Sequence, residues 1–122
     1  MGVVLIVEDN AANMKLASFL VMQAGHTVLG AADAEAGLML ARDRSPDLIL
    51  MDIQLPGMDG MEAIRLLKAD VATRAIPVIA LTALAMKGDE ERIREAGCDG
   101  YIAKPIRYQE FLKAVAERLA KK

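Results

Sequence analysis

The 122 residues, 54% of them hydrophobic, suffice for one domain with a real core. Fifteen basic (15) and seventeen acidic (17) residues leave a net charge of -2, which excludes an electrostatic grip on nucleic acid or on an anionic membrane. One cysteine precludes an internal disulfide, MGVVLIVEDN has no basic leader before a long apolar stretch, and no apolar run approaches the ~20 residues of a membrane span; a single cytoplasmic domain over residues 1–122 is predicted.

In chain order, the first strand is predicted at Val3–Val7, and it hands over to Glu8 and Asp9. A helix near 11–24 follows and stops at Gly25. Its sequence, AANMKLASFLVMQA, is too apolar for a helix with one buried stripe. Asn13, Leu16, Ala17, Leu20 and Ala24 form the predicted core side; Met22 lies opposite, with Phe19 and Met14 well off centre, as a docking patch for a partner. His26, in the turn before the second strand (Thr27–Ala31), reads as a solvated turn residue. Asp33 caps a helix near 34–44, with Glu35 at its positive dipole end.

The third strand, Leu48–Met51, is a continuous apolar run that ends abruptly on Asp52. Pro56, Gly57, Asp59 and Gly60 then turn the chain into a helix near 60–69. Pro77 opens the fourth strand, Val78–Leu81, which delivers Thr82. A helix near 87–96 stops at Gly97, and Cys98 beside that end reads as a buried structural thiol. The fifth strand, Tyr101–Ala103, delivers Lys104 and Pro105, and a last helix runs near 108–121.

Strict alternation of strand and helix with short connections implies a doubly wound parallel α/β sheet with helices on both faces. Such sheets bind ligands outside the carboxyl ends of their strands. There this chain gathers Glu8, Asp9, Asp52, Thr82 and Lys104. Three carboxylates at one edge repel one another unless a cation joins them. All the donors are hard oxygens, with no histidine or thiol near, so Mg²⁺ fits and Zn²⁺ does not. Three carboxylates, one ammonium and one divalent cation leave a neutral site that can accept a phosphoryl group. In it Asp52 attacks phosphorus, Lys104 and the cation neutralise equatorial oxygens, and the Thr82 hydroxyl bonds another.

Four motifs, LIVEDN at 5–10, LILMDIQLPGMDG at 48–60, VIALTA at 78–83 and GYIAKPI at 100–106, make the chain resemble the receiver domains of two-component response regulators over essentially its whole length. The resemblance implies a flavodoxin-like (βα)5 sheet of order 2-1-3-4-5. It implies that Asp52 takes a phosphoryl group from a phosphohistidine on a histidine kinase or histidine phosphotransfer protein, and that Glu8, Asp9, Asp52 and the backbone carbonyl of Gln54 surround Mg²⁺. Lys104 then contacts the phosphoryl group, Thr82 swings toward it, Tyr101 follows as an aromatic switch, and Lys104-Pro105 is cis. A signalling switch is expected rather than an enzyme, one that assists its own phosphotransfer and dephosphorylation and acts on a downstream protein as a monomer or weak dimer. Gln54 and Leu84 occupy the positions where the family tunes phosphoryl lifetime.

Other readings fit less well. A haloacid-dehalogenase-type phosphatase needs a second aspartate where Gln54 stands, and a flavodoxin-like binder needs a Ser/Thr/Gly loop where EDNAAN stands. No GxxxxGK[ST] or GxGxxG occurs. A pseudo-receiver scaffold typically lacks one of the five site residues, and none is missing. The receiver module of a hybrid histidine kinase stays open as an alternative, although Met1 and the closing Lys121-Lys122 favour a free-standing regulator.

Overall fold

A computed structural model describes residues 2–83 and 87–120; Leu84 and the two closing lysines lie outside the described residues. The elements are β1 (Val3–Val7), α1 (Ala11–Gln23), β2 (Thr27–Ala31), α2 (Ala34–Arg44), β3 (Leu48–Asp52), α3 (Gly60–Ala69), β4 (Val78–Thr82), α4 (Lys87–Glu95), β5 (Gly100–Ala103) and α5 (Tyr108–Ala120). All strands are parallel, in the order β2-β1-β3-β4-β5. The predicted topology is the observed one.

Alternation along the central strands sends side chains to two cores. Leu5, Val7, Ile49, Met51, Val78 and Ala80 pack with Ala41 of α2, Ile64 and Leu67 of α3, and Ile93 of α4. Val4, Ile6, Leu48, Leu50, Ile79 and Leu81 pack with Ala17, Leu20 and Val21 of α1, and with Phe111 and Val115 of α5. β3 and β4 are buried along their whole length, which is why they read as unbroken apolar runs. Each buried Leu, Ile or Phe contributes roughly 1.5–3 kcal/mol. Helix starts are fixed by side-chain caps: Asn10 accepts from the Asn13 amide (2.9 Å), Asp33 from Ala36 (2.8 Å), and Asp59 from Met61 (2.7 Å) and Glu62 (3.0 Å). Gly25 and Gly97 take positive φ where α1 and α4 end.

The structure corrects three expectations. β3, β4 and β5 are each one residue longer than predicted, because Asp52, Thr82 and Gly100 belong to the ladder: Asp52 pairs with Leu81, Thr82 with Ala103 and Ile79 with Gly100. In β3 and β4 a polar side chain ends the apolar pattern while the backbone goes on pairing; in β5 a glycine with no side chain opens the ladder. The buried stripe of α1 is Ala17, Leu20 and Val21, flanked by Met14; Leu16 is 40% exposed and Ala24 is exposed as well. Centring that stripe on Leu16 and Ala24 placed it about one position off. His26 is half-buried, and its Nδ1 accepts a hydrogen bond from the Gly2 amide at 3.0 Å, so it anchors the start of β1.

Among the described residues no helix is long and apolar enough to cross a membrane.

Candidate functional site

Parallel strands end on one edge, and at that edge the three acids meet. One carboxylate oxygen each of Glu8, Asp9 and Asp52 lies within 4.8 Å of the others. Glu8 and Asp52 are buried, at 2% and 1% exposure, whereas Asp9 faces solvent. Lys104 spans the buried pair, with Nζ 2.8 Å from Glu8 Oε1 and 3.1 Å from Asp52 Oδ2. The Gln54 amide donates to Asp52 Oδ1 at 3.0 Å, and the Asn10 amide to Glu8 Oε2 at 3.3 Å. Both acids thus have one oxygen on a backbone N–H and the other toward the lysine.

Why the chain tolerates this at the mouth of a core strand follows from its neighbours. The Lys104 amide bonds the Thr82 carbonyl at 2.7 Å, which pins the lysine across the end of β4, and the Lys104-Pro105 bond is cis as expected. Gly60 lets α3 start against the end of β3. A Cβ on it would stand 2.2 Å from the Asp52 carbonyl oxygen and 2.6 Å from Ile53 Cα, so no other residue fits without moving the strand end. Gly37 does the same for α2 against β1, where a Cβ would meet Val7 Cγ2 at 2.6 Å. Neither packing role was legible in the sequence, where Gly60 read only as a turn residue.

Burial, followed by a hydrogen bond shared with Asp52, pushes the Glu8 carboxyl up to about 7, against the pull of Lys104. For Asp52 burial acts in the same upward direction. The Glu8 hydrogen bond, the Gln54 amide and Lys104 together outweigh it and hold that carboxyl below its usual value. Burial would lower Lys104, but Glu8 and Asp52 override it and raise the ammonium. The site therefore sorts itself into an ionised Asp52, a protonated Lys104 and a Glu8 that keeps its proton until near neutrality.

Of the predicted residues, Glu8, Asp9, Asp52 and Lys104 come together directly. Thr82 is fully buried beside them at the end of β4, and Gln54 joins through its amide. Tyr101 stands apart, three residues back along β5 (~10 Å of strand) and 37% exposed. An all-oxygen donor set suits a hard divalent cation. So does one buried oxygen, Glu8 Oε1, which has the ammonium beside it but no aligned hydrogen bond among the described residues.

Residues 4–116 match the family described as the response regulator receiver domain. The polar-differentiation response regulator DivK of Brucella ovis is 51% identical over 116 residues, which span 95% of this chain and 94% of that protein. Among solved structures, a putative response regulator from Chloroflexus aurantiacus superposes with a TM-score of 0.93 at 30% identity, covering 98% of both chains. The receiver domain of a sensor histidine kinase from Pseudomonas aeruginosa, crystallised with a magnesium ion in its active site cleft, does so with a TM-score of 0.90 at 34% identity, again over 98% of both. The chain belongs to the response regulator receiver family, and it is DivK-like in sequence over nearly its whole length.

Proposed function

We propose that this receiver takes a phosphoryl group from a partner phosphohistidine onto Asp52 and switches its binding to a downstream protein. The observation that carries the reading is the cluster itself: three convergent carboxylates, two of them buried, with an ammonium 3.1 Å from the Asp52 oxygen. An ionised Asp52 is the nucleophile. Its oxygen attacks phosphorus, the phosphorus–nitrogen bond to the donor imidazole breaks, and an acyl phosphate forms. The Gln54 amide holds Oδ1 in place and so orients Oδ2, while Lys104 is positioned to follow the negative charge onto the phosphoryl oxygens. Glu8, Asp9 and Asp52, with the backbone carbonyl of Gln54, are the residues that would hold Mg²⁺. When bound, the ion neutralises the excess carboxylate charge and the equatorial oxygens. Thr82 supplies a further hydroxyl at the end of β4.

The partners are a histidine kinase or histidine phosphotransfer protein on one side and a protein target on the other, and the chain works as a switch rather than a turnover catalyst. Docking of the donor is assigned to the outer face of α1, where Leu16, Phe19 and Met22 are exposed at 40%, 54% and 56%. The structure of the magnesium-bound relative supports the choice of metal. Intact mass after incubation with acetyl phosphate and Mg²⁺ tests the core of the reading: wild type gains one phosphoryl group and Asp52→Asn gains none. Labelling of Asp52→Asn at the wild-type level would overturn it.

A further inference from the structure

α3 starts beside Asp52 and runs about 15 Å to Ala69. At its far end lies a groove that the phosphoryl reading does not use. It measures about 290 Å³ and separates the last turns of α2 and α3, with Leu38, Leu66 and Leu67 among its lining. Thr73 is buried there, and its hydroxyl donates to the Leu67 carbonyl at 2.7 Å, so that polar group is already satisfied. The rim carries one charge of each sign. Arg42 Nε and Nη2 both reach Asp70 Oδ2, at 3.1 and 2.9 Å, and Asp70 Oδ1 takes the Ala72 amide at 2.9 Å. Apolar knobs stand next to this hole. Among the described residues the exposed large hydrophobics are the α1 row, Tyr101, Tyr108, Met39, Leu66 and Val71. The last three gather here: Leu66 lines the groove, and Val71, 76% exposed, follows Asp70 in the chain. Met39, 64% exposed, lies about 60° around α2 from Arg42.

Single exposed hydrophobes are ordinary, but three around one apolar groove are not scattered. A patch that joins a hole, protruding apolar side chains and both signs of charge is complementary to itself. We propose that a second copy of this chain covers it through a twofold axis. Val71 of each copy enters the groove of the other, and Arg42 of each faces Asp70 of the other. In a twofold contact the same patch serves both sides, so every feature must find its complement within that patch. A rim of one sign would repel its own copy, whereas this rim sums to zero. The contact falls well short of the roughly 20–30 residues a side of a stable complex, so the pair is weak. α1 packs on the other face of the sheet and Asp52 lies at the other end of α3, so pairing leaves both free.

The test is a dilution series of the protein from about 2 to 0.05 mM, followed by amide NMR and by sedimentation. Concentration-dependent shifts at Met39, Arg42, Leu66, Asp70 and Val71 are expected, fitting one dimer constant that weakens about tenfold or more in Val71→Glu. Val71 is exposed, so this variant keeps the wild-type amide spectrum and its labelling by acetyl phosphate, which separates failure here from failure of the phosphoryl reading. Charge variants test the twofold geometry. Arg42→Asp leaves two acids on each rim and Asp70→Arg leaves two cations, so each alone should pair more weakly than wild type. Mixed one to one they should associate again, because each rim then meets its opposite. Three results would each overturn the proposal: no shift in the groove up to about 2 mM, which would leave it to a different protein or a small apolar molecule; shifts confined to another face; or a mixture that associates no more tightly than its components.

Discussion

Asp9 is the exposed member of the acidic cluster and packs against nothing in the core. Asp9→Ala should therefore abolish labelling by acetyl phosphate and Mg²⁺ while shifting stability by no more than about 0.5 kcal/mol; normal labelling of the folded variant would remove it from the site. Gly60 gives the opposite combination. Gly60→Ala forces a methyl group into the end of β3, so it should cost about 1–3 kcal/mol and displace Asp52, lowering phosphorylation as well. Chemical denaturation and intact mass measure the two effects on one sample. Glu8, Asp9, Asp52, Thr82 and Lys104 were legible because polar side chains at the ends of apolar runs stand out against the pattern. Gly60 and Gly37 were not, since their roles depend on a strand end packed against them, and a glycine at a turn or in a helix looks ordinary until that neighbour is placed.

For whole elements the pattern was most legible where burial is two-sided. β1, β3 and β4 allow little but apolar residues; β1 keeps its predicted bounds, and β3 and β4 each run one polar residue further. α1 was harder, because it is apolar nearly all round and the angular centre of its stripe is poorly defined by composition. The structure turns Met14 toward the core and Leu16 outward, which makes the exposed row Leu16, Phe19 and Met22. That row follows helical spacing of three residues and is flanked by the exposed Lys15 and Gln23. Burying one such side chain in a partner is worth roughly 1.5–3 kcal/mol, or about ten- to a hundred-fold in affinity. Phe19→Glu and Met22→Glu should slow transfer from a histidine phosphotransfer partner by that order and leave labelling by acetyl phosphate unchanged. Equal loss with both donors would indicate a damaged fold. No loss with either would free α1 of any docking role.

Across the whole molecule the acidic edge is a stability liability that metal binding should relieve, and the pH dependence shows its sign. Glu8 is raised from 4.5 to about 7 in the folded protein. Between those values the folded chain holds a proton that the unfolded chain has released, so stability is highest below 4.5 on this account and falls as pH rises through about 7. Asp52 is lowered, so its contribution is present above 3.8 and is lost only in stronger acid, outside that window. Lys104 is raised and stays charged throughout. With EDTA present, the melting temperature should therefore fall between pH 5.5 and pH 8. Glu8→Gln, which keeps the shape and removes the titration, should flatten that fall. A ligand that binds only the folded state stabilises it by an amount that grows with concentration over Kd. On the proposed reading Mg²⁺ binds an ionised Glu8 and so must displace its proton below about pH 7. At a fixed Mg²⁺ concentration the gain in melting temperature should thus be larger at pH 8 than at pH 5.5, and much smaller in Asp9→Ala at both. A gain independent of pH would show that Glu8 does not titrate at this site. A gain retained in Asp9→Ala would place the ion somewhere other than among these three acids.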